Sequence, residues 1–173
     1  TSEFDITKYL KKGENELFAV IHKWSNGTFL ECQDMFRENG IFRDVLLYQM
    51  PAAYINDLYY RTKETSKGWE LTVSADIASP SDGMTLRTEI YDGKKLIASK
   101  TADAKADTVI SFKGLDVISW NAEIPTLYTA YTSLYRGDDE VMTLRNYIGF
   151  KTVKIKKDVF TVNGKAIKVK GVN

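Results

Sequence analysis

The chain has 173 residues, of which 43% are hydrophobic and 27% charged, and a net charge of +1, ordinary values for one or two globular domains. So balanced a charge supplies no long-range field, which argues against nucleic acid or an anionic membrane as partner; no apolar run approaches the ~20 residues that span a bilayer. One cysteine, Cys32, excludes an internal disulfide and makes no metal site with the lone His22.

Aromatic content of 12%, few prolines and abundant Tyr and Thr favour an all-β chain. Thr1-Ser2-Glu3 opens without an initiator Met and without a basic-then-apolar leader, so the start reads as a cut or processed end. Residues 5–13 read as a short helical turn: Asp5 can cap it, Ile6, Tyr9 and Leu10 share a face, and Gly13 is placed to end it. Leu17 to His22 is apolar on both parities, which predicts a strand buried on both faces. From Trp24 to Val45 neither period holds. Trp24, Phe29, Leu30, Met35, Phe36, Ile41, Phe42 and Val45 fall at irregular spacing among Glu31, Asp34, Glu38, Asp44, Arg37 and Arg43. Long irregular loops of this kind are either functional or packed Ω-loops whose charges pair with one another, and both readings stand.

Extended character resumes at Arg43–Met50 and is punctuated by Pro51. Beyond Tyr54 the pattern becomes period two. Trp69, Leu71, Val73, Ala75 and Ile77 alternate with polar residues, as do Met84, Leu86 and Ile90. Asp92-Gly93 predicts a hairpin turn into Leu96–Lys100, and Ala106, Thr108, Ile110 and Phe112 make a further half-buried strand. Ile124–Tyr135 and Glu140–Ile148 are the longest, joined by Arg136–Asp139. About seven strands at roughly 10-residue spacing, each with one apolar face, predict an immunoglobulin-like β-sandwich. Tyr128 fits either a tyrosine corner or an ordinary core position. Apolar parity switches between Phe150 and Val153, which a bulge near Gly149 would explain. In the tail, Asn163-Gly164 supplies both positive φ angles of a type I′ hairpin, and the last strand breaks off at Asn173 unlike a natural terminus.

Nucleophile–base chemistry finds no pair here: His22 is the only imidazole, and Cys32 lies among carboxylates that raise a thiol pKa. No glycine-rich phosphate loop is present. Asn26-Gly27-Thr28 matches a glycosylation acceptor but reads first as a turn. Two of Glu31, Asp34, Glu38 and Asp44 could supply the carboxylate pair of a glycosidase, although one irregular loop rarely fixes two at the needed separation. Pairing with Arg37 and Arg43 is the plainer role for most of them. A single carboxylate such as Asp34 suits a sugar hydroxyl or a hard cation.

Trp24-Ser25-Asn26-Gly27-Thr28-Phe29-Leu30-Glu31-Cys32-Gln33-Asp34-Met35-Phe36-Arg37, followed by Gly40-Ile41-Phe42-Arg43-Asp44-Val45, closely resembles a signature of bacterial β-galactosidases in glycoside hydrolase family 2. In the same order, Gly13–Leu17, Trp120–Tyr128 (as Trp-x-x-Glu-x-Pro-x-Leu-Tyr), Gly149–Lys151, Val162–Lys165 and Gly171–Asn173 resemble further family segments. The resemblance covers essentially the whole chain. It implies that 1–50 are the C-terminal part of a jelly-roll sugar-binding domain. It makes 51–156 an immunoglobulin-like domain and 157–173 the first hairpin and strand of a catalytic (β/α)₈ barrel, whose glutamate pair lies beyond Asn173. The expected all-β fold is therefore a β-sandwich preceded by part of a jelly roll.

The resemblance also implies that Asp34 reaches the barrel's active site, contacts the galactosyl 6-hydroxyl and shares a sodium ion with barrel residues. Asn26 stands where some relatives carry a magnesium-binding aspartate, and lacks that charge. Phe36 replaces a common Trp, and Cys32 a common acidic residue. The implied partners are a β-galactoside and the missing barrel, with pairing to another copy of the chain open to a truncated jelly roll. Bacterial cytoplasm and periplasm both remain open. The alternative reading is a free-standing carbohydrate-binding or adhesion β-sandwich.

Overall fold

The computed structural model describes residues 2–30, 39–41 and 43–171. The chain divides into two compact units, Thr1–Tyr48 and Gln49–Asn173. In the first, the expected turn forms as a 3₁₀ helix over Thr7–Tyr9. Asp5 Oδ1 accepts the Thr7 N–H at 2.9 Å. Hydrogen bonds from the Thr7 hydroxyl and backbone hold the Asp5 carboxyl below the usual carboxylate range. Gly13 follows at φ +98°.

The strand expected over Leu17–His22 does not form: those residues are irregular, with Leu17 74%, Phe18 83% and Val20 79% exposed. The reason is one of partners. A strand apolar on both faces needs ladder neighbours at its edges and layers above and below, and the described residues of this unit contain no second strand. The segment from Trp24, expected to be irregular, contains one helical turn, α1 (Asn26–Leu30). The Thr28 N–H donates to the Ser25 carbonyl at 3.1 Å, and the Ser25 N–H to Thr28 Oγ1 at 3.2 Å. The side-chain bond supports a turn too short to hold by propagation.

The second unit is the expected sandwich. Seven antiparallel strands, β1 (Tyr54–Thr65), β2 (Gly68–Ala78), β3 (Met84–Asp92), β4 (Lys95–Asp103), β5 (Asp107–Leu115), β6 (Tyr128–Arg136) and β7 (Asp139–Ile148), form two sheets, β1-β2-β5 and β4-β3-β6-β7. Alternation decides the inward faces. Trp69, Leu71, Val73, Ala75 and Ile77 of β2 are all buried, opposite Met84, Leu86 and Ile90 of β3. Phe150, just past β7, is fully buried between Trp69 and Tyr128, with edge-on ring centroids at 5.8 and 5.4 Å. These three rings pack the inter-sheet space of a domain that has no disulfide. The Tyr128 hydroxyl accepts the Ile118 N–H at 2.8 Å, the back-bond to the preceding loop that defines a tyrosine corner. Gly68 closes the β1–β2 hairpin at φ +103°, and a Cβ there would lie 2.8 Å from the Leu115 carbonyl oxygen.

One polar chain crosses the core. Tyr60 of β1 donates to Asn146 Oδ1 and meets Thr132 Oγ1, both at 3.2 Å, and Thr132 meets Thr88 Oγ1 at 3.1 Å. Thr88 and Thr132 are wholly buried, so each hydroxyl needs that partner. Burial pushes the Tyr60 phenol above its ordinary pKa, against a lowering from the Thr132 bond.

Two expectations change here. The strand expected from Ile124 begins at Tyr128, because Asn121 Oδ1 accepts the Glu123 and Ile124 N–H groups at 3.0 and 2.8 Å and holds 121–124 in a turn before Pro125. The parity switch after Phe150 is no bulge. The ladder ends at Ile148, and β8 (Val153–Lys156) starts a separate sheet, β10-β9-β8, with β9 (Val159–Val162) and β10 (Lys165–Ala166). Asn163 and Gly164 take the expected positive φ, +50° and +74°. The β8–β9 turn does the same at Lys157 and Asp158 without glycine, which left it invisible in the sequence.

Candidate functional site

Asp34, on which the expected sugar and sodium contacts rest, lies outside the described residues, as do Glu31, Cys32, Arg37 and Glu38. What precedes it is described. Trp24 and Phe29 stack with centroids 6.3 Å apart and planes at 23°, and Lys23 Nζ sits 5.7 Å from the Trp24 ring centroid. Trp24 precedes α1 and Phe29 lies within it, so this pair packs ring on ring locally while both side chains stay largely exposed.

Asn26 opens α1 and is exposed. A magnesium ion asks for several hard, preferably anionic oxygens. Asn26 offers one neutral amide, and among the described residues no three His, Cys, Asp or Glu side chains converge. The described part of this segment does not fit a magnesium cage. Asp44 and His22 are exposed as well.

In the second unit the motif from Trp120 to Tyr128 resolves into structure rather than chemistry. Asn121 makes the turn, Tyr128 the corner, and the Trp120 N–H donates to the Phe150 carbonyl at 2.8 Å. An open hollow of about 430 Å³ lies between the β2–β3 and β4–β5 turns, lined by Pro80, Asp82, Met84, Asp103 and Lys105 among others. It contains carboxylates and a cation but no thiol and no imidazole. Sequence reasoning missed one residue that the structure singles out: Asn163, read only as a turn former, uses both ends of its side-chain amide across the fold.

Residues 1–51 match the family described as "Glycosyl hydrolases family 2, sugar binding domain", and residues 53–151 match "Glycosyl hydrolases family 2". The chain belongs to glycosyl hydrolase family 2. Among the described residues every strand lies in the second unit, whose antiparallel sandwich agrees with the second of these family domains. Curated relatives of this family 2 chain include a β-galactosidase of Priestia megaterium, 35% identical over 99% of this chain and 18% of that protein. A β-galactosidase of Yersinia pestis bv. Antiqua (strain Angola) is 32% identical, over 99% of this chain and 19% of the relative. The chain thus spans about a fifth of the length of these relatives.

Among solved structures, a β-glucuronidase of Parabacteroides merdae superposes with a TM-score of 0.56 at 20% identity, over 70% of this chain and 16% of the other. One from Ruminococcus gnavus gives 0.55 at 16% identity, over 70% and 19%. At such identities the likeness is one of fold.

Proposed function

We propose that this family 2 chain is the non-catalytic segment of a β-galactosidase, contributing scaffold and one active-site carboxylate. The observation that supports it best is the alignment of 99% of the chain, at 35% identity, with one stretch of the Priestia megaterium β-galactosidase. On this reading residues 1–50 end a jelly-roll sugar-binding domain, 51–156 are the immunoglobulin-like domain, and 157–173 lead into a (β/α)₈ barrel. The acid/base and nucleophile glutamates belong to that barrel, so the 173-residue chain hydrolyses nothing alone. The complete protein releases terminal β-D-galactosyl groups with retention, through a glycosyl-enzyme intermediate.

Asp34 is the residue of this chain that enters the chemistry. Its carboxylate accepts a hydrogen bond from the galactosyl 6-hydroxyl and offers a hard oxygen to sodium. Asn26, neutral and exposed, carries no magnesium role on this reading. The test is Asp34→Asn in the complete enzyme, which keeps the shape and removes the charge. Turnover of a nitrophenyl β-galactoside falls by about a hundredfold and its sodium dependence flattens. Unchanged kcat/KM with unchanged sodium dependence would overturn the assignment of Asp34. A free-standing sugar-binding module would instead show galactoside binding by the isolated 173-residue chain, measured by calorimetry.

A further inference from the structure

The Asn163 side chain bridges two segments far from it in sequence. Its Nδ2 donates to the Trp120 carbonyl at 2.8 Å, and its Oδ1 accepts the Thr152 N–H at 2.8 Å. Its own backbone N–H donates to the Thr152 carbonyl, also at 2.8 Å. Both partner segments are themselves fixed to the core. The Trp120 N–H is bonded to the carbonyl of Phe150, the fully buried ring between Trp69 and Tyr128. The Trp120 ring lies so close over Gly149 that a Cβ there would be 3.0 Å from its Cγ and Cδ1. Lys151 Nζ stands 4.6 Å from the centroid of that ring.

A type I′ turn asks only for positive φ at its two central positions, and glycine would meet that at 163 at least as well as asparagine. The turn alone therefore does not account for an amide whose donor and acceptor are spent on two different segments. Nor does the ladder of the small sheet, which is closed by backbone bonds between β8, β9 and β10. What the amide adds is a link from the small sheet to the sandwich.

We propose that Asn163 is a positioning residue that pins the β8–β9–β10 sheet to the base of the sandwich, through the Trp120 carbonyl and the Thr152 N–H, and so sets the direction in which the chain leaves β10. The joint is a property of this chain whatever sugar its parent protein takes. That it aims a following barrel rests on the reading given under Proposed function, whereas the joint itself is tested without any activity.

Residue-resolved native-state hydrogen exchange on the 173-residue chain provides that test, with two variants. N163G keeps the positive-φ turn and removes both side-chain bonds. N163D, ionised at neutral pH, keeps an acceptor for the Thr152 N–H and cannot donate to the Trp120 carbonyl. In N163G the Thr152 amide exchanges about tenfold faster, and in N163D it stays near the parent rate. The Trp120 amide quickens in both, while the amides of β2, β3 and β6 keep their protection. Parent-like Thr152 protection in N163G overturns the proposal. A uniform loss of protection throughout the sandwich overturns it too, because Asn163 would then be a general stabiliser. Equal behaviour of the two variants at Thr152 overturns the division of labour between the two amide atoms.

Discussion

The two units of this chain hold similar apolar residues to opposite ends. In the sandwich, Leu71, Val73, Leu86 and Phe150 are completely buried; in the first unit Phe18 is 83% exposed, Val20 79% and Leu47 77%. Hydrophobicity alone does not separate them. Period does. Alternating strands expose a polar face and bury an apolar one, so two sheets satisfy each other face to face. A run such as Leu17–Ile21, apolar on both parities, needs covering on two sides, and the described residues of its own unit supply neither side.

The largest test of that contrast substitutes a phenylalanine in each unit. Phe150→Ala removes the ring that Trp69 and Tyr128 both contact and costs about 3–5 kcal/mol, the range for an emptied aromatic core site. That is a large share of the stability of a domain this size. Phe18→Ala changes an exposed side chain and stays within about 0.5 kcal/mol. Urea unfolding followed by tryptophan fluorescence reads both. Equal shifts in midpoint would contradict the claim that only one of these rings is in a core.

A backbone test follows, with a smaller effect. Gly68→Ala places a Cβ 2.8 Å from the Leu115 carbonyl and asks alanine to hold φ +103°. Strain of this kind costs about 1–3 kcal/mol. Gly83→Ala, in the same unit and at φ +79° but with no atom near the added Cβ, carries the conformational part alone. The difference between their melting temperatures isolates the clash. No difference would mean that the β1–β2 hairpin relaxes away from Leu115.

How much was legible follows the same line. The β2, β3 and β7 segments were readable because each shows a period, and the hairpin at Asn163-Gly164 because its residues are committed to positive φ. The β8–β9 turn hid because Lys157 and Asp158 carry no such mark, and β1 because only Ile55 of its twelve residues is buried. The start of β6 was read four residues early because Ile124 is apolar, whereas the local turn of Asn121 decides it. Asn163 was half legible. Its φ is written in the Asn-Gly pair, but its two side-chain partners lie 43 and 11 residues away, a separation no local pattern encodes. Asp34 and Asn26 were singled out by family resemblance, not by period or spacing, and the described residues add no ligand geometry around Asn26.

The finest test turns on the polar chain inside the sandwich, where wholly buried hydroxyls stand among the apolar side chains. Tyr60→Phe removes the hydroxyl between Thr132 and Asn146 and costs about 1 kcal/mol at neutral pH, the net worth of such a bond. The pH dependence then reports on the same hydroxyl. Burial, opposed by the Thr132 bond, raises the phenol's pKa in the folded chain, so the fold favours the neutral form. Its contribution is complete below the unfolded tyrosine value of ~10 and is lost as pH rises through the higher folded value. The parent therefore loses stability from about pH 9.5 upward more steeply than Tyr60→Phe does, and the gap between them narrows. The other nine tyrosines are the same in both proteins, so the difference between parent and variant cancels them. A gap that stays constant from pH 7 to about pH 11 would mean that the Tyr60 hydroxyl ionises as readily in the folded chain as in the unfolded one, so that burial in the polar chain does not favour its neutral form.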